Sequence, residues 1–110
     1  MPSAVLPDAD SQGFTTYQGA ARCHGTDQAV QVVRTAKSAV VVCQTTQNAL
    51  YYRGLRLSDN GLIELGGARQ TESGFAASNT DGTLYEISST ELVIRTAGDV
   101  YTEQAVESAP

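Results

Sequence analysis

The stretch that decides the fold is Asn79–Gln104, NTDGTLYEISSTELVIRTAGDVYTEQ. It reads as three consecutive β-strands joined by two tight turns. Asp81-Gly82 stands between short runs rich in Thr, Tyr, Leu and Ile, and Asp-Gly in that setting is a strong hairpin signal because the central turn residues need positive φ. A two-residue turn there pairs Ser78 with Tyr85 and Ala76 with Ile87. At the second turn, a three-residue loop Thr96-Ala97-Gly98 puts Gly98 in the left-handed region and sets Ile94 opposite Val100 and Val93 opposite Tyr101. A two-residue Ala97-Gly98 turn would instead set Ile94 against Tyr101. Ser88-Ser89-Thr90 between the two hairpins is a polar corner.

Upstream of this meander the same grammar continues. Met1 to Gln12, with two prolines and two aspartates, is expected to be an extended or frayed lead-in, residues 13–106 a single β domain, and 107–110 a tail. Phe14 to Tyr17 forms a short edge strand between Gly13 and Gly19, and Gly19 to Gln28 is a loop that carries Cys23 and His24. Two β-branched runs follow, Ala29 to Ala36 and Ala39 to Thr45. With Lys37-Ser38 as the turn, Val32 lies opposite Cys43 and Val33 opposite Val42.

The run Val40-Val41-Val42 is continuous rather than alternating, which marks a strand buried on both faces. Ala29, Val32, Val33 and Ala36 also fall at helical spacing behind Asp27 as a cap, so a helix over Asp27 to Lys37 competes. The three valines of that stretch favour the strand. Leu50 to Leu57 is a further strand in which Gly54 points to a bulge or a close backbone approach. Ser58-Asp59-Asn60-Gly61 is a turn, Leu62 to Leu65 a short strand ended by Gly66-Gly67, and Gly74 to Ser78 leads into the meander. Seven to nine short strands at this spacing specify an all-β, antiparallel sandwich or barrel with at most one short helix.

The composition narrows the class. The chain has 110 residues and a core that must be built from Val, Leu and Ile, since it has no Trp and only two Phe. No apolar run approaches the roughly 18–20 residues that span a bilayer, and no basic-then-apolar leader is visible at the start. The net charge is -5, the opposite of a nucleic-acid footprint. Up to Gln70 the acids and bases nearly balance; beyond it Arg95 is the single base among seven acids, a polarity suited either to a partner surface or to ordinary solvated charge.

Cys23 and Cys43 are the only cysteines. In an oxidising compartment they pair, closing a loop of about 20 residues for about 3 kcal/mol. In a reducing one they are unrelated thiols. The pairing is the favoured reading and places the domain outside the cytoplasm. His24 beside Cys23, with Asp27 nearby, is too thin a ligand set for a metal, so no metal or cofactor is expected. No nucleophile motif, phosphate loop or dinucleotide fingerprint is present. Glu86, Glu91 and Glu103 are the acids from which a carboxylate pair would be drawn, and a small envelope hydrolase using Glu86 and Glu103 is the alternative to a binding domain.

The densest aromatic-plus-arginine cluster is Tyr51, Tyr52, Arg53 and Arg56. Tyr and Arg dominate interface hot spots. Strand alternation sends Tyr51 and Arg53 to one face and Tyr52 and Arg56 to the other. Tyr52 and Arg56 are expected to flank a ligand or protein contact, and replacing both with Ala is expected to leave the melting temperature nearly unchanged.

One resemblance joins these segments. The order GAARC (19–23), VVCQT (41–45), LYYRGLRL (50–57), GF-x-A-x-N-x-DG-x-x-Y-x-I (74–87) and L-x-I-x-x-x-G-x-V (92–100) resembles small extracytoplasmic modules at the C-terminal ends of membrane-anchored actinobacterial proteins, mycobacterial ones among them. Some of these carry a cytoplasmic Ser/Thr kinase part. The resemblance implies an exported, disulfide-linked domain and supplies no functional residues to carry over. The absent catalytic sets, the expected disulfide and the acidic, strand-rich chain favour a non-enzymatic interaction or sensing domain. Its partner would be a protein or a cell-envelope ligand rather than nucleic acid, and it would meet the membrane only through a segment outside residues 1–110.

Overall fold

A computed structural model describes residues 9–10, 12–15, 17 and 20–109. They are all β. Two short strands, β1 (Ala9–Asp10) and β2 (Gly13–Phe14), form a small antiparallel hairpin. Eight longer strands follow: β3 (Gln28–Thr35), β4 (Ser38–Gln44), β5 (Leu50–Arg56), β6 (Gly61–Gln70), β7 (Gly74–Ser78), β8 (Leu84–Ser88), β9 (Glu91–Arg95) and β10 (Val100–Ala109). They close into an up-and-down antiparallel barrel in which each strand pairs with its sequence neighbours and β10 returns to β3. The turns β3–β4, β5–β6, β7–β8 and β9–β10 therefore share one end.

Alternation along the strands builds two cores. Inside the barrel Val33, Val40, Val42, Tyr52, Leu65, Ala77, Ile87 and Leu92 pack together. On the outer face of β3–β5, Val32, Ala39, Val41, Cys43, Tyr51 and Leu55 would meet water, but Phe14, Ala21 and Cys23 cover them. That double burial explains the unbroken valine run: Val40, Val41 and Val42 are all within 1 % of complete burial. Burying a Phe or Val side chain is worth about 1.5–3 kcal/mol, so the N-terminal hairpin holds its place chiefly through Phe14. Ala9 and Asp10, which belong to the stretch expected as a lead-in, are part of that cover. Residues 1–8 and 11 of the stretch lie outside the described residues, as do Thr16 of the expected edge strand and Pro110 of the expected tail.

Cys23 and Cys43 form a disulfide, Cα–Cα 5.6 Å, that ties the loop after the hairpin to the outer face of β4. Asp27 to Lys37 contains a strand rather than a helix, because Val30, Val32 and Val33 reach both cores only in an extended chain.

Several registers differ from the sequence reading, each for a local reason. Asn79 accepts from the Gly82 amide at 3.1 Å and donates to the Thr83 carbonyl at 2.8 Å, and Gly82 has φ +91. Thr80, Asp81 and Gly82 thus form a three-residue loop with glycine at its bulge. Ser78 pairs with Leu84, Ala77 with Tyr85 and Ala76 with Glu86, one residue from the expected register. The β9–β10 turn has two residues, Ala97 and Gly98, with Ile94 opposite Tyr101, and Gly98 is not left-handed. The β3–β4 turn falls at Ala36-Lys37, because the Thr35 hydroxyl accepts from the Lys37 and Ser38 amides at 3.1 and 2.9 Å. Val32 consequently faces Val41, and Val33 faces Val40.

β6 does not stop at Gly66-Gly67. It runs on to Gln70 through a bulge at Gly67, φ +69, which opposes the step from Leu50 to Tyr51. The bulge expected at Gly54 is therefore on the partner strand. At Gly54 the pairing with Val40 and Ile63 is regular. A Cβ there would stand 3.0 Å from Cε1 of Tyr52, so the missing side chain is the space the Tyr52 ring occupies.

Candidate functional site

Beyond its packed middle, the barrel interior opens toward the end that carries the β3–β4 and β5–β6 turns. The cavity there has a volume of about 890 Å³ and walls of Val40, Tyr52, Ile63, Tyr85, Leu92 and Ile94. Such a size and an apolar lining are typical of small-molecule sites. Lys37, Arg56 and Leu62 stand at its rim. Strand alternation places each wall residue. Tyr85, Ile94, Ile87 and Leu92 occupy paired rows of β8 and β9, and Glu103 continues the Leu92 row on β10. Glu103 is thereby the one carboxylate among the described residues that lines the cavity.

The polar groups of this cavity are few and well defined. The Thr35 hydroxyl, on a residue buried completely, donates to Glu103 Oε1 at 2.7 Å. Glu103 belongs to no ion pair among the described residues. Tyr52 is 3 % exposed, and its ring meets that of Tyr85 with centroids 5.3 Å apart. Burial first, and then Tyr85 and the Glu103 charge, push the Tyr52 phenol far above its ordinary range. It stays protonated, and its hydroxyl has no hydrogen-bond partner among the described residues.

The four residues singled out on β5 divide by face. Tyr52 is in the cavity wall, and Arg56 is at the rim, where an exposed ion pair with Asp59 at 3.1 Å takes its charge. Tyr51 and Arg53 lie on the opposite face and serve the N-terminal cover. The Tyr51 hydroxyl donates to Asp27 Oδ2 at 2.6 Å and accepts from the His24 amide at 2.9 Å. Burial and the Asp27 hydrogen bond raise its pKa. The His24 ring stacks on Tyr51 with centroids 5.7 Å apart, and its Nε2 lies 2.6 Å from Glu64 Oε1. Glu64 also pairs with Arg53 Nε at 3.0 Å, while Arg53 Nη1 donates to the Arg22 carbonyl. Arg22 in turn pairs with Asp10 at 3.1 Å. This network joins the hairpin, the Cys23 loop, β5 and β6.

The acids named as catalytic candidates separate. Glu86 shares its row with Val93 and Thr102, so it points outward, opposite to Glu103, and pairs with Arg95. Glu86 and Glu91 line a shallow outer depression of about 150 Å³ with Arg95. Both cysteines are in the disulfide, so neither is a thiol nucleophile. Sequence reasoning missed Tyr85, Ile94 and Glu103 as neighbours of Tyr52. The signal was the inward alternation of Tyr85, Ile87, Leu92, Ile94 and Glu103, which becomes a shared wall only once the barrel closes. Comparison with protein families, with curated proteins and with solved structures found no match to this chain.

Proposed function

We propose that this domain is a non-enzymatic binding or sensing module that takes a small, largely apolar molecule through the mouth of the barrel. The observation that carries this reading is the cavity of about 890 Å³, walled by aliphatic side chains and two tyrosines at the end of an otherwise packed barrel. The Cys23–Cys43 disulfide is consistent with an oxidising compartment. An extracytoplasmic place in a bacterial envelope protein, with a protein or envelope ligand as partner, is the natural setting for such a module. Bound ligand would reach Arg56, Leu62 and the neighbouring turns, which is how occupancy would be read by a partner at the rim.

The test is titration with a neutral solvatochromic dye such as Nile red. The wild-type domain should enhance and blue-shift its emission, and Ile94→Trp, which fills the mouth, should weaken binding at least about fivefold with an unchanged far-ultraviolet circular dichroism spectrum. Equal dye binding by both proteins would refute the cavity as the site.

A further inference from the structure

The chemical class of the ligand follows from two of the polar groups that line the cavity, Glu103 and Tyr52, and it rests on the cavity being the binding site. Glu103 stands against an apolar wall and forms no ion pair among the described residues. Its Oε1 is fixed by Thr35, and its other oxygen has no protein donor among the described residues. Tyr52, 3 % exposed, lines the same space with an unpartnered hydroxyl. Neither atom is sealed from water, so a ligand N–H group would replace solvent at both with charge-assisted or neutral hydrogen bonds held in an apolar surrounding. The faces of Tyr52 and Tyr85 add a surface that attracts cations.

We propose that the barrel binds a primary ammonium carried on a short apolar chain or ring. The Glu103 carboxylate is its counter-ion, the Tyr52 hydroxyl is a second acceptor for its N–H groups, and Ile63, Leu92 and Ile94 hold the apolar part. The two rim cations do not reverse this preference. Arg56 is neutralised by Asp59, and Lys37 is exposed at the turn, where solvent screens it.

The experiment is isothermal titration of the whole domain with hexylammonium, 1-hexanol and hexanoate, which share one chain and differ in charge. The expected order is hexylammonium, then hexanol, then hexanoate, with about tenfold between the first two. Glu103→Gln, whose amide oxygen still accepts from Thr35, should lose the preference for the ammonium over the alcohol. Tyr52→Phe should keep part of it. Equal binding of hexylammonium and hexanol by the wild type, or tighter binding of hexanoate, would overturn the ammonium assignment and leave the barrel as an apolar site. Failure of all three to bind would overturn the binding site itself. A preference for the ammonium that survives in Glu103→Gln would overturn the role of Glu103.

Discussion

Removing the Cys23–Cys43 bridge should destabilise the domain by an amount set by the loop it closes. The two residues are 20 apart in sequence. The chain-entropy relation gives about −11 cal/mol/K for such a loop, or about 3 kcal/mol at 25 °C. For a domain of this size that corresponds to a fall in melting temperature of roughly 10–15 °C. The assay is a pair of urea and thermal melts on the oxidised protein and on Cys23→Ala/Cys43→Ala. The structure adds a sharper requirement. Phe14 and Cys23 both hold the N-terminal hairpin against the outer face of β3–β5, so they are two fastenings of one segment. Phe14→Ala alone should cost about 3–5 kcal/mol, yet in the bridgeless background it should cost less, because the cover is already loosened. The triple variant should therefore fall short of the sum by about 0.5–3 kcal/mol. Strict additivity, or a bridgeless protein as stable as the oxidised one, would refute the account of a single stapled cover.

Tyr52→Ala should cost about 3–5 kcal/mol in a urea melt, since Tyr52 is a wall of the inner core, whereas Arg56→Ala should stay within about 0.5 kcal/mol. The double variant is thus expected to lose stability through Tyr52, contrary to the expectation from sequence that its melting temperature would hold. A Cβ on Gly74 would lie 1.9 Å from the Ile87 carbonyl oxygen, and one on Gly98 would meet nothing within 4 Å. Gly74→Ala should accordingly lose about 1–3 kcal/mol, while Gly98→Ala should be neutral or slightly stabilising, as denaturant midpoints will show. The Gln12 amide, with Arg22, holds the Asp10 carboxyl below its ordinary range. A carboxylate with a lowered folded pKa gives stability that is present above its unfolded pKa and lost as pH falls through the folded value. Asp10→Asn should therefore flatten the stability profile only below about pH 4, and a difference between the proteins that persisted unchanged down to pH 2 would count against it.

The all-β class was legible because local signals agreed: Asp-Gly and Asn-Gly turns, β-branched runs and the valine triplet on β4. Registers were less legible. An Asp-Gly pair serves a two-residue turn and a three-residue loop with a glycine bulge equally well, and what separates them here is the bond from Asn79 to Thr83, which sequence does not display. The same holds for Gly66-Gly67, where a stop and a bulge use one residue type. Thr35 shifted a turn through its side chain, an effect of one hydroxyl. The cavity was the least legible feature. Tyr52 was singled out with Arg56 by strand alternation, but its partners Tyr85, Ile94 and Glu103 come from strands that approach it only after the sheet has curled and closed. The outer network was hidden for another reason: Arg53 and Glu64 oppose each other only in the β5–β6 register that the Gly67 bulge sets, and Tyr51 finds Asp27 in the segment before β3.

The barrel is closed by a single long-range seam. Every pairing from β3 to β10 joins consecutive strands except that of β10 with β3, where Ala105 meets Thr35. During synthesis the hairpins zip in order as they emerge, each at the modest cost of a short loop. Until β10 arrives, the outer rim of β3 hangs open as a row of unpaired amides flanked by Val32 and Val33, which is the kind of edge that recruits other chains. The bridge from Cys23 to Cys43 spans the β3–β4 hairpin and forms from residues made long before the seam. An oxidised chain thus carries a β3 pinned to β4 and covered on its outer face, with only its edge left waiting for β10. Aggregation during refolding under reducing conditions is where that waiting time would show.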